Sequence, residues 1–468
     1  MAQTLRTIDN VARDIGLDPN RVLPLGRHKA KIDLDGHPVG AGDGKLVLVS
    51  AITPTKAGEG KTTVSVGLTD GLRRLGARVA LCLREPSLGP VFGIKGGGTG
   101  GGKAQVEPAN DINLHFTGDL HAITAAHNLL AALIDADLFF GGASGLTPER
   151  VTWSRALDMN DRALRRVVVG HGSRAERETR FDITAASEIM AVMALASSLE
   201  DLRVRLGRIV VGTREDGSPV TANDLGAVDA MLALLQDALK PNLVQTREGA
   251  PAFVHLGPFG NIAHGCSSVV ATKLALAHAD VVITEAGFGF ELGGEKFLDI
   301  KCRQAGIWPQ AVVLVATVQA LKAHGGGDLM TGLAHLDRQL ANVGAFGLPV
   351  LIAVNVFPTD TEAELVEVEA YAAQRGVVAE RITSFVNGGE GGEALAERLL
   401  ALLDVVAGNP PKPTFLYAED DDLLTKLTSV ATTVYGAAEV VLSPADEGDL
   451  ARLRAAGQAG LPVCITMT

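Results

Sequence analysis

Residues 46–85 read LVLVSAITPTKAGEGKTTVSVGLTDGLRRLGARVALCLRE, and the order of patterns within them decides the fold. Leu46 to Thr53 is an apolar run of strand length that ends at a turn, as a strand buried on both faces requires. It leads directly into a glycine-containing loop. TTVSVGLTDGLRRLG then predicts a helix, and Arg78 to Glu85 predicts the next strand. Strand, loop, helix, strand is a βαβ unit, which implies a parallel sheet with helices on both faces. The alternation returns further on: Arg208–Gly212, Asp280–Gly287, Ala311–Thr317 and Pro349–Phe357 are strand candidates, and helical patterns such as EAELVEVEAYAAQRG lie between them. The expected fold is α/β, a P-loop NTPase-like parallel sheet with helices on both faces, plus smaller α/β domains.

A chain of 468 residues is long enough for two or three domains. The division read from the pattern is a nucleotide-binding domain over residues 1–300, a second α/β domain over 301–407, and a short C-terminal α/β segment over 408–468. GNPPKPT, Gly408 to Thr414, marks the last boundary, and one helix with two strands is expected after it. Hydrophobic residues make up 47% of the chain and aromatics only 4%, so the core must be mostly aliphatic. The net charge of −12 disfavours a nucleic-acid track. Cys82, Cys266, Cys302 and Cys464 form no C-x-x-C pair, which speaks against a disulfide framework or structural zinc and for a reducing compartment. His264 and Cys266 are two ligands without others at metal-binding spacing. The first residues lack an apolar signal segment. A long uncharged stretch, Gln339 to Thr359, reads as a loop, a buried strand and a turn, not as a membrane span. The expected location is therefore cytoplasmic, with no membrane and no nucleic acid among the partners.

The loop after the first strand carries chemistry. In TPTKAGEGKTT, Gly60, Lys61 and Thr62 fit the phosphate-binding pattern G-x-x-x-x-G-K-[ST], while Thr55 stands where that pattern has glycine. Backbone N–H groups at the start of a following helix can point at phosphate oxygens. ATP is the expected ligand, held by Thr55, Lys56, Ala57, Gly58, Glu59, Gly60, Lys61, Thr62 and Thr63, with Lys61 on the β- and γ-phosphates and Thr62 on Mg²⁺. A second segment runs from Leu83 to Thr124. Six of its seven residues from Gly96 to Gly102 are glycine, and Arg84, Glu85, Lys95, Lys103 and Asp119 surround them. This reads either as a flexible surface loop or as a backbone built for close approach to a ligand. Arg84, at a strand end, suits bidentate contact with a phosphate or carboxylate.

With these residues in view, the chain resembles the formate–tetrahydrofolate ligase family. The resemblance rests on a collinear series: GRHKAKI, AITPTKAGEGKTT, REPSLGPVFGIKGG, DINLHFTGDLHAITAAHNLLAALID, ERETRFDITAASEIMA, RLGRIVVG, KPNLVQT, GPFGNIAHGCSSVVATK, TEAGFGFELGGEKFLDIKCR, FPTDTEAE and NGGEGGEALAE. It covers roughly Gly26 to Glu397, with a weaker match to the end. It implies that ATP phosphorylates formate to formyl phosphate and that N10 of tetrahydrofolate then attacks the formyl carbon, giving 10-formyltetrahydrofolate, ADP and phosphate. It also implies Lys61 on the nucleotide phosphates, Arg84 on the acyl-phosphate anion with Glu85 beside it, and Lys103, Asp119, Phe357 and Phe385 at the folate. A homotetramer, a Mg²⁺ requirement and activation by a monovalent cation belong to the same implication.

The chain departs from the family pattern within these motifs. Lys103 stands for a usual Tyr, His127 for Asn, Phe290 and Glu291 for Ala and Asp, Gln319 and Val356 for two Arg, and Phe385 for Trp. The family also continues several tens of residues beyond the stretch that matches LPVCITMT. These positions leave open a ligase of the same build for another small acid or a modified pterin, and a non-catalytic ATP-binding regulatory protein.

Overall fold

The computed structural model describes residues 4–34, 42–56, 58–93 and 97–466. The first strand, β1, spans Lys45–Ala51, and helix α1 spans Lys61–Arg74. Strand β2 follows at Val79–Leu83. The chain then leaves the sheet for residues 84–241, apart from the strand pair Gly100–Gly101 and Ala104–Glu107 at its margin. It returns with β3 (Asn242–Thr246), β4 (Pro251–Val254), β5 (Val281–Glu285), β6 (Ala311–Ala316), β7 (Val350–Asn355) and β8 (Val378–Ile382). Seven of these strands lie side by side in the order β4-β2-β5-β1-β6-β7-β8, and every neighbouring pair is parallel. On the outer side of β4, β3 and the hairpin Val22–Pro24/Ala30–Ile32 add antiparallel strands. The α/β sheet with helices on both faces is thus observed. It runs through residue 300 without interruption, because β6, β7 and β8 extend the sheet that β1 begins.

Alternation along the strands explains why the runs read as continuously apolar. Leu46 and Leu48 of β1 face one core with Leu314 and Ile352, against the helices Val269–His278, Leu329–Ala345 and Glu362–Gln374. Val47 and Val49 face the other, with Val313, Ala353, α1 and the helix Glu393–Ala407. A strand buried on both sides has no solvent face on which to place polar residues.

A third core is built mostly from residues 120–239, joined by Leu256 and Val270. The helix Asp119–Phe140 is long and apolar enough to cross a membrane, yet Leu120, Ile123, Leu130, Ile134 and Leu138 form a stripe at helical spacing. That stripe packs with Met193, Leu202, Met231 and Leu235. Arg208–Gly212 is a strand candidate by its sequence. Val210–Thr213 is a strand, but it pairs with Pro219–Thr221 in a separate two-stranded sheet. The stretch expected as a loop from Gln339 is the last part of the helix Leu329–Ala345, whose buried positions Leu329, Leu333, Leu336 and Val343 keep its period. After residue 408 the expected helix and two strands are instead two helices, Leu423–Thr433 and Pro444–Ala455, with no strand among the described residues. The β-branched pair Val440–Val441 has no strand beside it, and Val441 is exposed.

Helix α1 carries one buried carboxyl. Asp70 accepts a hydrogen bond from the Thr246 hydroxyl of β3, but its Oδ2 has no partner. Burial, reinforced by Glu248 and opposed by the Thr246 bond, pushes its pKa up to about 7. Below about pH 4 the group is protonated in the folded and unfolded chain alike. As the pH rises toward 7, only the unfolded chain releases the proton, so stability falls. Asp70→Asn should therefore stabilise the protein at pH 8, by on the order of a few kcal/mol, and do little at pH 4. Urea unfolding at the two pH values measures the difference, and an equal effect at both would refute this account.

Candidate active site

The residues singled out in the sequence gather at the carboxyl ends of the parallel strands, where ligands of open α/β sheets bind. From β1 the chain passes into the loop from Thr53 to Gly60. Thr55 N–H donates to Glu59 Oε1 at 2.7 Å, and Gly58 N–H donates to the Thr55 carbonyl. The left-handed backbone positions are Gly58 (φ 77°) and Gly60 (φ 73°), and Thr55 is not among them. A threonine at the pattern's first glycine is therefore compatible with this loop. Asn355, the last residue of β7, donates its amide to the Glu59 carbonyl at 3.0 Å. A Cβ on Gly60 would lie 2.6 Å from that same amide nitrogen. Lys56 is exposed, and Ala57 lies outside the described residues, as do Lys95 and Gly96.

Lys61 and Thr62 open α1, where the helix dipole and free N–H groups favour an anion. Thr62 Oγ1 lies 3.1 Å from both carboxylate oxygens of Glu285, the final residue of β5. A hydroxyl beside a carboxylate is a hard-oxygen donor set that suits Mg²⁺. Glu285 escaped the sequence reading. Its signal is a single charged residue that ends an otherwise apolar strand. Burial lowers the Lys61 pKa; the carboxylates of Glu285, Glu59 and Glu291 oppose that shift, and Arg84 reinforces it.

Arg84 and Glu85 follow β2 directly. Arg84 Nη1 donates to the Pro258 carbonyl at 3.0 Å, its Nε has no partner, and its guanidinium lies against Gly287. Glu85 is buried, with Oε2 unpartnered. Desolvation raises its pKa well above the usual range; Asp119 and Asp158 add to the shift and Lys31 counters it. Thr62, Arg84, Glu85, Gly97, Gly98 and Glu285 line one cavity of about 160 Å³. Two non-glycine residues with positive φ, Leu256 (φ 53°) and Phe288 (φ 61°), follow β4 and β5 at the same rim. Strained backbone of this kind persists where the surrounding structure over-determines it, and it clusters at functional sites.

The expected folate residues divide. Phe385 follows β8, and its ring is exposed over Gly101 and Gly102; Lys103 N–H donates to its carbonyl at 2.9 Å. Phe357 follows the adjacent strand β7 and is half-buried, in a turn closed by Asp360. Asp119 is fully buried beneath the rim. It is ion-paired to Lys31 at 2.7 Å and accepts from the Asn242 amide at 2.8 Å.

The chain matches the family model described as formate–tetrahydrofolate ligase over residues 1–468. It is 55% identical to the formate–tetrahydrofolate ligase of Myxococcus xanthus over 99% of this chain and 87% of that protein. Proteins of the same name from Acidiphilium cryptum and Cereibacter sphaeroides are each 51% identical, over 100% and 99% of this chain and 86% and 85% of theirs. The chain is an enzyme of the formate–tetrahydrofolate ligase family.

Several departures from the family pattern have local partners. Phe290 is fully buried edge-on against Phe346. Glu291 accepts from Gln339 at 2.9 Å, and Gln319 donates to the Thr359 hydroxyl at 2.8 Å. His127 stacks on Trp153, and burial lowers its pKa to about 4, which makes it a neutral packing group.

The shape of the loop depends on Asn355. Removing its amide leaves the Glu59 carbonyl without that donor, a loss of roughly 1–3 kcal/mol. Asn355→Ala should weaken ADP binding about tenfold in calorimetry, with an unchanged circular-dichroism spectrum. Unaltered affinity would mean that the loop keeps its shape without this bond.

Proposed function

We propose that this enzyme activates formate with ATP and transfers the formyl group to N10 of tetrahydrofolate, giving 10-formyltetrahydrofolate, ADP and phosphate. The observation that carries the reading is the gathering of Thr62, Arg84, Glu85 and Glu285 around one small cavity, with Lys61 next to Thr62 and close enough for Arg84 and Glu285 to act on its charge. A carboxylate is a poor acyl donor until one oxygen becomes a phosphate leaving group. In the first step a formate oxygen attacks the γ-phosphorus, a new O–P bond forms and the bond to the ADP oxygen breaks. In the second, N10 attacks the formyl carbon, the C–O bond to phosphate breaks and N10 loses its proton.

The chain's own residues supply positioning and charge. The loop from Thr55 to Thr63, read as P-loop-type, cradles the nucleotide phosphates. Lys61 compensates the charge on the transferred phosphoryl group, and Arg84 holds the formyl-phosphate anion. Glu85, which lines the same cavity beside Arg84, takes the N10 proton. Thr62 and Glu285 would hold Mg²⁺, which neutralises phosphate charge when bound. Phe357 and Phe385 provide aromatic faces for the pterin, Lys103 contributes a polar contact, and Asp119, paired with Lys31 and Asn242, supports the rim from within. A monovalent cation, a homotetramer and a cytoplasmic setting complete the proposal.

The buried Glu291 and the neutral Gln319 give the reading with a different small acid its footing, so the test includes a panel of acids. With ATP, Mg²⁺, formate and hydroxylamine but no folate, the enzyme should release ADP and form formohydroxamate, the trapped acyl phosphate. Lys61→Ala should lower kcat/KM at least about a hundredfold. Turnover with another acid and none with formate would overturn the substrate assignment. ATP binding without acid-dependent ADP release would favour a non-catalytic role.

A further inference from the structure

Helix α1 does more than present Lys61 and Thr62. Its face away from the phosphate loop carries Gly67 and Gly71, and the segment that bears Phe385 packs directly on them. A Cβ on Gly67 would lie 2.0 Å from Ser384 Oγ and 2.2 Å from Ser384 Cβ. A Cβ on Gly71 would lie 2.7 Å from the Gly392 backbone, and one on Gly392 would lie 2.3 Å from the Gly67 carbonyl. Backbone meets backbone here with no room for a side chain, which only glycine allows. Ser384 Oγ is buried with no hydrogen-bond partner, so the contact holds the serine by shape alone.

The other side of the same segment is equally close. A Cβ on Gly102 would lie 2.0 Å from the Phe385 carbonyl, and one on Gly101 would lie 3.0 Å from the Phe385 ring and 3.7 Å from Thr63 Oγ1. Gly389 N–H donates to Glu248 Oε1 at 2.7 Å, which pins the far end. The Ser384–Phe385 backbone is therefore clamped between α1 and the glycine strand, while Phe385 as a residue stays 57% exposed. The backbone that carries the ring cannot shift without displacing α1 or the glycine strand.

We propose that Gly67 and Gly71 are positioning residues that couple nucleotide binding at the start of α1 to the placement of the Phe385 ring, so that ADP or ATP tightens tetrahydrofolate binding. This rests on the reading of Phe385 as a folate platform. Both ligands bias one packed unit, and coupling of this kind is reciprocal and typically about 5- to 150-fold.

The test uses the whole chain and two readouts: KM for tetrahydrofolate and for ATP, and tetrahydrofolate affinity by anaerobic calorimetry with and without ADP. ADP should tighten folate binding at least about fivefold in the unaltered protein. Gly67→Ala should reduce that ratio to about one and raise the tetrahydrofolate KM about tenfold, with the ATP KM within about twofold. Gly67→Ala/Ser384→Gly, which removes the clashing side chain, should restore both. Ser384→Gly alone serves should Gly67→Ala not fold, and it should reduce the ADP effect without changing ADP affinity. Parallel rises in both KM values, or no restoration in the double variant, would overturn the coupling. So would a folded Ser384→Gly with the full ADP effect. Phe385→Ala tests the platform itself: an unchanged tetrahydrofolate affinity there would refute the folate reading separately, whatever the glycine variants do.

Discussion

A parallel sheet covered on both faces leaves its strands nowhere to put a polar group except at their ends, and this constraint organises the molecule. β1, β2, β5 and β7 are apolar along their length and then stop in Ser50–Thr53, Arg84–Glu85, Glu285 and Asn355. Because the strands are parallel and staggered by only a few residues, those endings share one rim. The site is thus a consequence of core burial. Each charged group is held by a strand whose register is set by the large apolar surface it covers.

That concentration of charge has an energetic cost, visible as buried groups with unmet polar atoms. Glu59, Glu85, Glu291 and Arg84 each keep one atom without a protein partner. Buried polar atoms are normally paired, and the exceptions require an explanation. Here Arg84 and Glu85 line the cavity, and Glu59, Glu291 and Arg84 lie close enough to Lys61 to act on its charge, a distribution expected if a ligand supplies the missing partners. The positive-φ backbone at Leu256 and Phe288 marks the same rim. The departures at Phe290 and Gln319 fit a different pattern: each has a protein partner, Phe346 and Thr359 respectively, while Glu291 bonds Gln339 through only one carboxylate oxygen. They are repacked positions, and the acid the site accepts follows from how that repacking shapes its wall.

How far the fold could be read in the sequence follows from the same constraint. The unit from β1 through α1 to β2 was legible, because strands buried on both faces give unbroken apolar runs between turn signals, and β5, β6 and β7 were legible for that reason too. β8 was not: Val378–Ile382 carries Glu380 and Arg381 because it closes the sheet at one edge, where Arg381 pairs with Glu362 and Glu369. Arg208–Gly212 has the composition of a core strand, and composition does not say which sheet a strand joins. At the rim, Lys61, Thr62, Arg84 and Glu85 were identified by motif, and the convergence of Thr62, Arg84 and Glu85 on one cavity required the topology. Glu285 was passed over as the tail of a strand, although a carboxylate closing the apolar run VVIT is the feature to look for.

The glycines changed meaning most. A run of six in seven residues reads as a flexible loop or as a surface for ligand. The structure shows that most of its members serve a third purpose, close approach between parts of the protein itself: Gly97 against Asn113, Gly98 against Pro86, Gly101 and Gly102 against Phe385. The same holds on α1, where Gly67 and Gly71 cost roughly 1 kcal/mol each relative to alanine. Two such costs within fourteen residues of the helix that presents Lys61 are tolerated because the bare backbone admits the segment bearing Phe385. Glycine at these positions is therefore evidence of rigidity: the chain gives up helix propensity and side-chain packing to bring the phosphate loop and an exposed aromatic ring into one body.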